Sequence, residues 1–394
     1  MRIGLLFPSV YGSPALYGKK MFAPRELLSF LADGLVKRQH EVFVFSTQDF
    51  PTTAQIISTP VHSIANPLPY SKFRGLPQVE QVLLESEFAK RNFELNTILN
   101  AFKYAREQKL DILHVYHDSS LFLSHYFQEL VNVPVVYSLH DPLPPPHTFE
   151  YQELERFSQH HYIAISQSQK VSLLTLNFAG TVYHGMPLNE FSYQKAAADY
   201  LLFMGRLIPE KGLDQAIAAC LGLNMRLEIG TQFPDREHES DYFKGKIKPY
   251  LTNPLIGEPG VVDGENKQRL YQGAKALLFP ISWEEPFGLV MVEAMACGTP
   301  VIAYNRGSVP EIVKDGVTGF IVEPAESDTT YKTYKAYTSY TIKKRGIPGL
   351  VEAIKRIGEI DRQACRRHVE ENFSVEKMTL GYEEVYKDMI QKSK

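Results

Sequence analysis

Short runs of apolar residues alternate along this chain with longer amphipathic segments. One amphipathic segment, PRELLSFLADGLVKR, places Leu27, Leu31 and Leu35 four residues apart on one helical face. The clearest apolar runs are RIGLLF, EVFVFST, YLLFMG, KALLFP and PVIAY. Strands that are apolar on both faces and separated by helices are typical of parallel sheets covered on both sides. The pattern therefore predicts an α/β fold with two doubly wound domains.

Further segments extend this alternation. The other predicted strands are DILHVY, VPVVYSLH, YIAIS, TVYHG, MRLEIG and GFIVEP. The other predicted helices are FELNTILNAFKYAREQ, GLDQAIAACLG, ENKQRLYQGA, GLVMVEAMA, PGLVEAIKRIGEI and VEKMTLGYEEVYKDMIQ. A polar stretch without a clear period, residues 186–199, marks the break between the domains. We expect a surface insertion or a mobile loop at residues 327–345, which are rich in Tyr, Thr and Lys.

Length and composition narrow the class of protein. At 394 residues the chain is long enough for two domains. Its net charge of -3 with mixed signs gives no electrostatic case for nucleic-acid binding. The cysteines Cys220, Cys297 and Cys365 are widely spaced, which suits a reducing compartment and excludes a zinc cluster. Without a signal peptide or an apolar run of about 20 residues, we expect a cytoplasmic protein. Any membrane contact would be peripheral, at the inner face.

Two glutamates flank the apolar sequence PFGLVMV. Glu285 follows a predicted strand, and Glu293 lies eight residues on, about 12 Å along a helix. Between them, the amides of Phe287, Gly288 and Leu289 open the helix and favour an anion. The alternative is that both glutamates are ordinary helix charges. Glu293 has apolar neighbours, so it requires a ligand or a salt bridge. If a ligand holds it, Glu293→Ala weakens donor binding with little change in stability.

Basic residues and a histidine follow other predicted strands. Arg206 and Lys211 lie in FMGRLIPEKG, the loop that leaves the first strand of the second domain. Two cations at that position suit a pyrophosphate, although a solvated pair of loop charges is the alternative. His140 ends the strand VVYSLH, where it is either a functional group or a structural histidine.

Several common motifs are missing from the sequence. There is no D-x-D pair for a metal-bridged pyrophosphate. There is also no G-x-G-x-x-G and no G-x-x-x-x-G-K-[ST], which argues against a dinucleotide dehydrogenase and a P-loop enzyme. A G-x-S-x-G nucleophile elbow is absent as well.

With these motifs, the chain resembles the family 4 glycosyltransferases of the GT-B fold over nearly its whole length. The resemblance is carried by EEPFGLVMVEAMACGTPVIA, GSVPEIVKDGVTGFIVEP, GRLIPEKG, SLHD and TVYHGMPLNEF. It implies two Rossmann-like domains facing each other across a deep cleft. Residues 1–190 would form the acceptor-side domain and residues 191–373 the donor-binding domain. Residues 374–394 would form a helix that crosses back to the first domain.

The resemblance also implies an activity. It is the retaining transfer of a hexose from a nucleotide-diphosphate sugar to a hydroxyl acceptor, with no metal and no other cofactor. A UDP-sugar is favoured as donor, followed by GDP-mannose. The acceptor is open: a glycan, a lipid or a small molecule.

Roles for single residues follow from matching positions. Arg206 and Lys211 would hold the donor diphosphate and stabilise the leaving nucleotide. Glu285 and the amides of residues 287–289 would hold the donor sugar, Glu293 the ribose hydroxyls, and His140 the sugar near the reacting carbon. The remaining residues that we assign to donor binding are Gly18, Lys19, Gly205 and Val262.

The chain departs from the family in its first loop, SPALYGKKMFAPREL. The family usually has paired glycines there, whereas Lys19 and Lys20 follow Gly18 here. Lys19 would add a cation beside the donor phosphate, or the loop would serve an unusual acceptor.

Two other functions remain open on the sequence. One is a sugar synthase-like or phosphorylase-like enzyme of the same fold. A phosphorylase would usually have a pyridoxal-binding lysine and a longer chain. The other is a non-catalytic subunit that binds a nucleotide sugar. A degenerate subunit would be expected to lose some of the donor residues, and donor turnover in water would separate it from the enzymes.

Overall fold

The strands of this protein form two separate parallel sheets. The computed structural model describes residues 1–17, 22–58, 87–107, 109–116, 121–142, 144–172, 175–231, 240–262, 264–325 and 339–393. Within these residues the first sheet has seven strands and the second has six. Every pair of neighbouring strands in both sheets is parallel.

The first sheet has the strand order β3-β2-β1-β4-β5-β6-β7. Its strands are β1 (Arg2–Leu6), β2 (Glu41–Ser46), β3 (Gln55–Ser58), β4 (Ile112–Val115), β5 (Val135–Ser138), β6 (His161–Ala164) and β7 (Phe178–Thr181). All four residues of β4 and of β5 are buried, as expected for strands covered on both faces. The order reverses between β1 and β4.

The second sheet has the strand order β10-β9-β8-β11-β12-β13. Its strands are β8 (Leu201–Met204), β9 (Leu227–Thr231), β10 (Gly260–Val261), β11 (Leu277–Phe279), β12 (Val301–Tyr304) and β13 (Gly319–Val322). The order reverses between β8 and β11. Such a reversal is where open α/β sheets bind ligands, beyond the carboxyl ends of the strands.

Helices connect the strands of both sheets. In chain order the described helices are α1 (Pro14–Tyr17), α2 (Ala23–Lys37), α3 (Glu87–Arg106), α4 (Leu121–His125), α5 (Phe149–Arg156), α6 (Gln167–Ser172), α7 (Leu213–Leu221), α8 (Gly264–Gly273), α9 (Leu289–Ala296), α10 (Val309–Ile312), α11 (Gly346–Arg356), α12 (Arg362–Asn372) and α13 (Val375–Lys392). None of them combines the length and the apolar character needed to cross a membrane.

The predicted alternation of strands and helices is confirmed, with one misplaced strand. Leu27, Leu31 and Leu35 are buried along one face of α2. The prediction of a strand at TVYHG is wrong, because β7 is the preceding segment and ends at Thr181. A β-carbon on Gly180 would lie 2.7 Å from Val385, so β7 needs a small residue where α13 packs on it. Its sequence, FAGT, therefore lacks the apolar run that marks the other strands.

The chain forms two compact units, and neither is one continuous segment. The first unit contains Met1–Ile165, Leu173–Gly185 and Met378–Lys394. The second contains Ser166–Ser172 and Met186–Lys377. The sequence-based division, 1–190 and 191–373, places residues 166–172 in the first domain instead. In the structure the two carboxylate oxygens of Glu311 accept hydrogen bonds from the Gln167 and Ser168 amides, each 2.7 Å long, which ties α6 to the second unit.

The polar stretch of residues 186–199 belongs to the second unit, where arginines of α12 bind it. The guanidinium of Arg362 donates hydrogen bonds to the carbonyl of Gln194 at 2.9 Å and to that of Ala274 at 2.7 Å. Arg366 likewise donates to the carbonyls of Phe191 and Ala296. These bonds satisfy backbone groups that have no strand or helix partner, so a stretch without periodicity is held in place.

The predicted surface insertion at residues 327–345 includes packed residues at its end. Residues 326–338 lie outside the described part of the chain. Tyr340 and Ile342 are 7% and 2% exposed, and the Thr341 amide donates to Asp315 at 2.6 Å. The prediction of a surface segment is therefore wrong for residues 340 and 342. The high content of Tyr, Thr and Lys in this segment gave no indication that residues 340 and 342 are buried.

Burial of His114 predicts that acid destabilises the first unit. Its ring nitrogens lie 2.6 Å from the Tyr386 hydroxyl and 2.7 Å from the Ser138 hydroxyl, and burial lowers its pKa to about 3. The unfolded chain takes up this proton near pH 6.5, so the contribution of His114 to stability is complete above that pH. It falls by about 1.4 kcal/mol per pH unit as the pH drops toward 3.

The measurement is urea unfolding at several pH values between 6.5 and 4. We expect His114→Gln to flatten the dependence of the unfolding free energy on pH relative to the wild type. His147→Gln, at an exposed position, serves as the matched control and should leave the slope unchanged. Equal slopes in the wild type and His114→Gln would contradict the prediction.

Candidate active site

The candidate site of the second unit is built on the loops that leave β8 and β11. These strands are neighbours at the point where the sheet order reverses, so their loops emerge side by side. The Ser282 amide donates to the Glu210 carbonyl at 2.9 Å and links the two loops. Gly212 makes the approach possible. Its φ is +71°, and a β-carbon there would lie 2.1 Å from the Pro280 carbonyl oxygen.

Four side chains from these loops form what we call the Trp283 cluster: Arg206, Lys211, Trp283 and Glu285. The Lys211 ammonium and the Trp283 indole N–H both donate to Oε2 of Glu285, each at 2.7 Å. The Lys211 and Glu285 side chains are each 12% exposed. The ammonium also lies 4.4 Å from the centroid of the indole ring, and the Arg206 guanidinium lies 5.7 Å from it. The structure thus brings three of the predicted catalytic residues together around a tryptophan.

A third loop, after β12, fixes the backbone of Glu285. The Ser308 amide donates to the Glu285 carbonyl at 2.9 Å. Gly307 has a φ of +54°, and a β-carbon on it would lie 2.2 Å from the same carbonyl oxygen. Glu284 closes the contact, because its Oε2 accepts the Gly307 amide at 2.6 Å and its Oε1 lies 3.6 Å from Arg306. Sequence reasoning missed these contributions of Glu284 and Arg306.

Backbone amides at the start of α9 add a second feature that suits an anion. Gly288 precedes the helix with a φ of +81° and, having no side chain, does not cap the first turn. Within the first turn the Met291 amide donates to the Gly288 carbonyl at 3.0 Å, and the amides before it have no carbonyl partner inside the helix. The Phe287 side chain is 2% exposed and packs on Phe373. Amides at a helix start favour a phosphate or a carboxylate, as the sequence predicts for residues 287–289.

Glu293 is held by protein partners. Its Oε1 lies 2.5 Å from the Lys267 ammonium, and its Oε2 accepts the Tyr271 hydroxyl at 2.7 Å. Burial, and then the charge of Glu293, raise the pKa of Tyr271 well above its usual value, so this hydroxyl keeps its proton. Of the two explanations that the sequence left open, a ligand or a salt bridge, the structure supplies the salt bridge.

His140 lies in the first unit, directly after β5. Its ring centroid is 4.5 Å from that of the fully buried Tyr116 and 5.4 Å from that of His184. The two imidazole planes are within 10° of parallel. Burial lowers the pKa of His184 to about 3, so His184 stays neutral at neutral pH and brings no positive charge to the stack. The His140 ring therefore packs against two other rings, those of Tyr116 and His184.

The remaining predicted residues lie at or near the same edge of the second sheet, or outside the described chain. Gly205 follows β8, and its amide donates to the Gly230 carbonyl at 3.0 Å. Val262 follows β10, two strands away from β8 in the sheet. Gly18 and Lys19 lie outside the described residues. Across the described parts of the chain, no group of three or more His, Cys, Asp or Glu is placed to hold a metal ion.

Two family models match consecutive parts of the chain. Residues 28–189 match the model described as "Glycosyltransferase Family 4", and residues 189–336 match that described as "Glycosyl transferases group 1". The chain belongs to the glycosyltransferases of the GT-B fold. It is therefore an enzyme that transfers glycosyl groups, and each of its two sheets is the core of one Rossmann-like domain of that fold.

Related and solved glycosyltransferases agree with this placement. An uncharacterised glycosyltransferase of Methanocaldococcus jannaschii is 25% identical, over 76% of this chain and 80% of that protein. The lipopolysaccharide 1,2-N-acetylglucosaminetransferase of Salmonella typhimurium is also 25% identical, over 68% and 78%. The sucrose-phosphate synthase structure from Thermosynechococcus elongatus has a TM-score of 0.70 at 18% identity, with 100% of both chains covered. HepE of Anabaena, solved with UDP and glucose, has a TM-score of 0.65 at 18% identity, covering 98% and 100%.

The candidate site of this GT-B glycosyltransferase includes residues that the sequence did not point to. They are Lys267, Tyr271, Trp283, Glu284 and Arg306. Trp283 is the single tryptophan of the chain and stands directly before Glu284 and Glu285, so the sequence could have indicated it as a candidate. Lys267 and Tyr271 are four residues apart and therefore on one face of α8, which was another.

Proposed function

We propose that this glycosyltransferase moves a hexose from a nucleoside-diphosphate sugar to a hydroxyl group, with retention of configuration and without a metal ion. A UDP-sugar is the favoured donor and GDP-mannose the next. The acceptor is a glycan, a lipid headgroup or a small molecule that carries a free hydroxyl. The name of the Salmonella relative, an N-acetylglucosaminetransferase of lipopolysaccharide, supports a sugar-bearing acceptor.

The observation that carries the proposal is the Trp283 cluster at the point where the second sheet reverses. Two cations, Arg206 and Lys211, lie against the Trp283 ring, Lys211 also donates to the Glu285 carboxylate, and α9 begins four residues after Glu285. Cations and helix amides together suit a diphosphate, and a carboxylate suits sugar hydroxyls. The Lys211–Glu285 pair is not an ordinary solvated ion pair, because both side chains are largely buried.

The chain's own residues then divide the chemistry between them. The bond from the anomeric carbon to the diphosphate oxygen breaks, and the acceptor oxygen bonds to that carbon from the same face. The acceptor proton passes to a phosphate oxygen of the leaving nucleotide. Lys211 and Arg206 stabilise the negative charge that develops on the diphosphate, which is where preorganised cations act most strongly. Glu285 orients the sugar by accepting hydrogen bonds from its hydroxyls.

Trp283 allows a direct binding test, since it is the chain's single tryptophan and lies in the proposed site. We would titrate the protein with UDP-, GDP- and ADP-sugars and follow its fluorescence, each with and without EDTA. We expect a saturable change with the sugars of one base, and the same affinity in EDTA. Glucose 1-phosphate, which lacks the nucleoside diphosphate, is the matched control ligand.

The transfer itself is followed with the donor so identified. Product from an acceptor screen would be examined by NMR, and the proposal expects the anomeric configuration of the donor. An inverted product would contradict retention, and loss of binding in EDTA would contradict metal independence. If no nucleotide sugar changes the fluorescence or is turned over, the proposed donor class is wrong.

A further inference from the structure

The indole of Trp283 contacts every side chain of the cluster through two different parts of its ring system. Its edge donates the N–H to Oε2 of Glu285 at 2.7 Å. Its face lies 4.4 Å from the Lys211 ammonium and 5.7 Å from the Arg206 guanidinium. A single rigid group thus touches the proposed sugar-binding carboxylate and both proposed diphosphate-binding cations.

The edge contact controls the direction of the Glu285 carboxylate. Oε2 accepts two hydrogen bonds, from Lys211 and from Trp283, so this oxygen is committed to the protein. Oε1 has no hydrogen-bond partner among the residues that the structure describes, which leaves it available for a ligand. A carboxylate held by one donor can rotate about that contact, whereas two donors at different angles fix both its position and its plane.

The face contact controls the two cations. Two positive side chains near one another repel, and each has several rotamers of similar energy. An aromatic face attracts cations through its negative quadrupole, most strongly for tryptophan, and so gives both a common surface. A second ring, that of Phe279, lies 5.5 Å from the Lys211 ammonium and encloses it further.

We infer that Trp283 is a positioning residue of the donor site, with one role for each part of the indole. The N–H sets the Glu285 carboxylate toward the donor sugar, and the ring face holds Lys211 and Arg206 where the diphosphate binds. This inference rests on the proposed function. Different substitutions of this one residue should therefore affect the positioning of the sugar and the binding of the diphosphate separately.

Two substitutions test the two roles separately. Trp283→Phe keeps an aromatic face but removes the N–H, so we expect kcat to fall about tenfold while the affinity for the nucleoside diphosphate stays near that of the wild type. Trp283→Leu removes the face as well, so we expect the affinity for the diphosphate to fall about tenfold in addition. The affinity for the corresponding nucleoside monophosphate should change much less. Affinities are measured by calorimetry, since these variants lack tryptophan.

Controls separate positioning from general damage. Tyr250→Leu, at an aromatic residue that is 44% exposed, should match the wild type in kcat and in both affinities. The melting temperature of each variant is measured without ligand, and Trp283→Met replaces Trp283→Leu if the latter does not fold.

The outcomes that overturn the inference are specific. A Trp283→Phe enzyme with the kcat of the wild type removes the role of the N–H. A Trp283→Leu protein that loses equal affinity for the monophosphate and the diphosphate has a damaged nucleotide site, which removes the role of the ring face. Failure of the proposed function is recognised separately, because the wild type itself would then bind no nucleoside diphosphate.

Discussion

Replacing Lys211 with alanine is expected to lower kcat at least a hundredfold in a protein that stays folded. If the ammonium stabilises the leaving diphosphate, its loss removes about 2.7 to 4 kcal/mol of transition-state stabilisation. The structure adds a second cost. Lys211 is 2.7 Å from Glu285, so the substitution also leaves the Glu285 carboxylate without its ion-pair partner. Arg206→Ala removes the other cation, and we expect a loss of similar order.

The measurement is kcat under saturating donor, together with the melting temperature of each variant. Lys246→Ala, at an exposed lysine of the same unit, is the matched control and should behave as the wild type. The double variant Lys211→Met with Glu285→Gln removes both charges and separates the two costs. If Lys211→Ala and Arg206→Ala both turn over at the rate of the wild type, neither residue acts on the diphosphate.

Replacing Glu293 with alanine is expected to lower the free energy of unfolding by about 3 to 5 kcal/mol, the cost of breaking a buried ion pair. The Lys267 side chain is 10% exposed and would lose its ion pair with Glu293, and the Tyr271 hydroxyl would lose the hydrogen bond to Glu293. This expectation replaces the one drawn from the sequence, in which Glu293 faced a ligand and its loss left stability nearly unchanged.

Urea unfolding of Glu293→Ala and Glu293→Gln measures this cost. Adding Lys267→Met to Glu293→Gln removes the buried charge that faced the Glu293 carboxylate, so we expect that second substitution to restore part of the lost stability. A loss below about 1 kcal/mol in Glu293→Ala would mean that the pair is not a structural element, since surface pairs have values of that size. Donor affinity of the restored double variant then reports whether Glu293 also contacts the ribose.

The fold was largely predictable from the sequence because the core strands are short apolar runs with helices between them. Helix α12 was not predicted. Its sequence, RQACRRHVEEN, is polar, and only Cys365 and Val369 of its residues are buried. What holds it are the bonds from Arg362 and Arg366 to distant carbonyls, described above. A local pattern carries no trace of partners that are more than sixty residues away.

The candidate site shows the same limit. Arg206, Lys211 and Glu285 were recognisable because each follows a strand at the edge where ligands bind. Their mutual contacts were not, because Lys211 and Glu285 are 74 residues apart in the chain. The salt bridge of Glu293 depends on Lys267, 26 residues before it. A residue's type and place in a strand-loop pattern can be read from the sequence, whereas its partners are set by the packing of loops.

The interleaving of the two units along the chain restricts the chimeras that can be made by exchanging a unit between related enzymes. The chain passes between the units after residues 165, 172, 185 and 377. A chimera with a single junction near residue 186 would therefore place a foreign α13 against the sheet of the first unit, where Tyr382 and Tyr386 are fully buried. It would also bring a foreign residue 311 to the amides of α6. Recombination that preserves both cores requires several coordinated crossovers, so the two units cannot be exchanged as independent modules through a single junction.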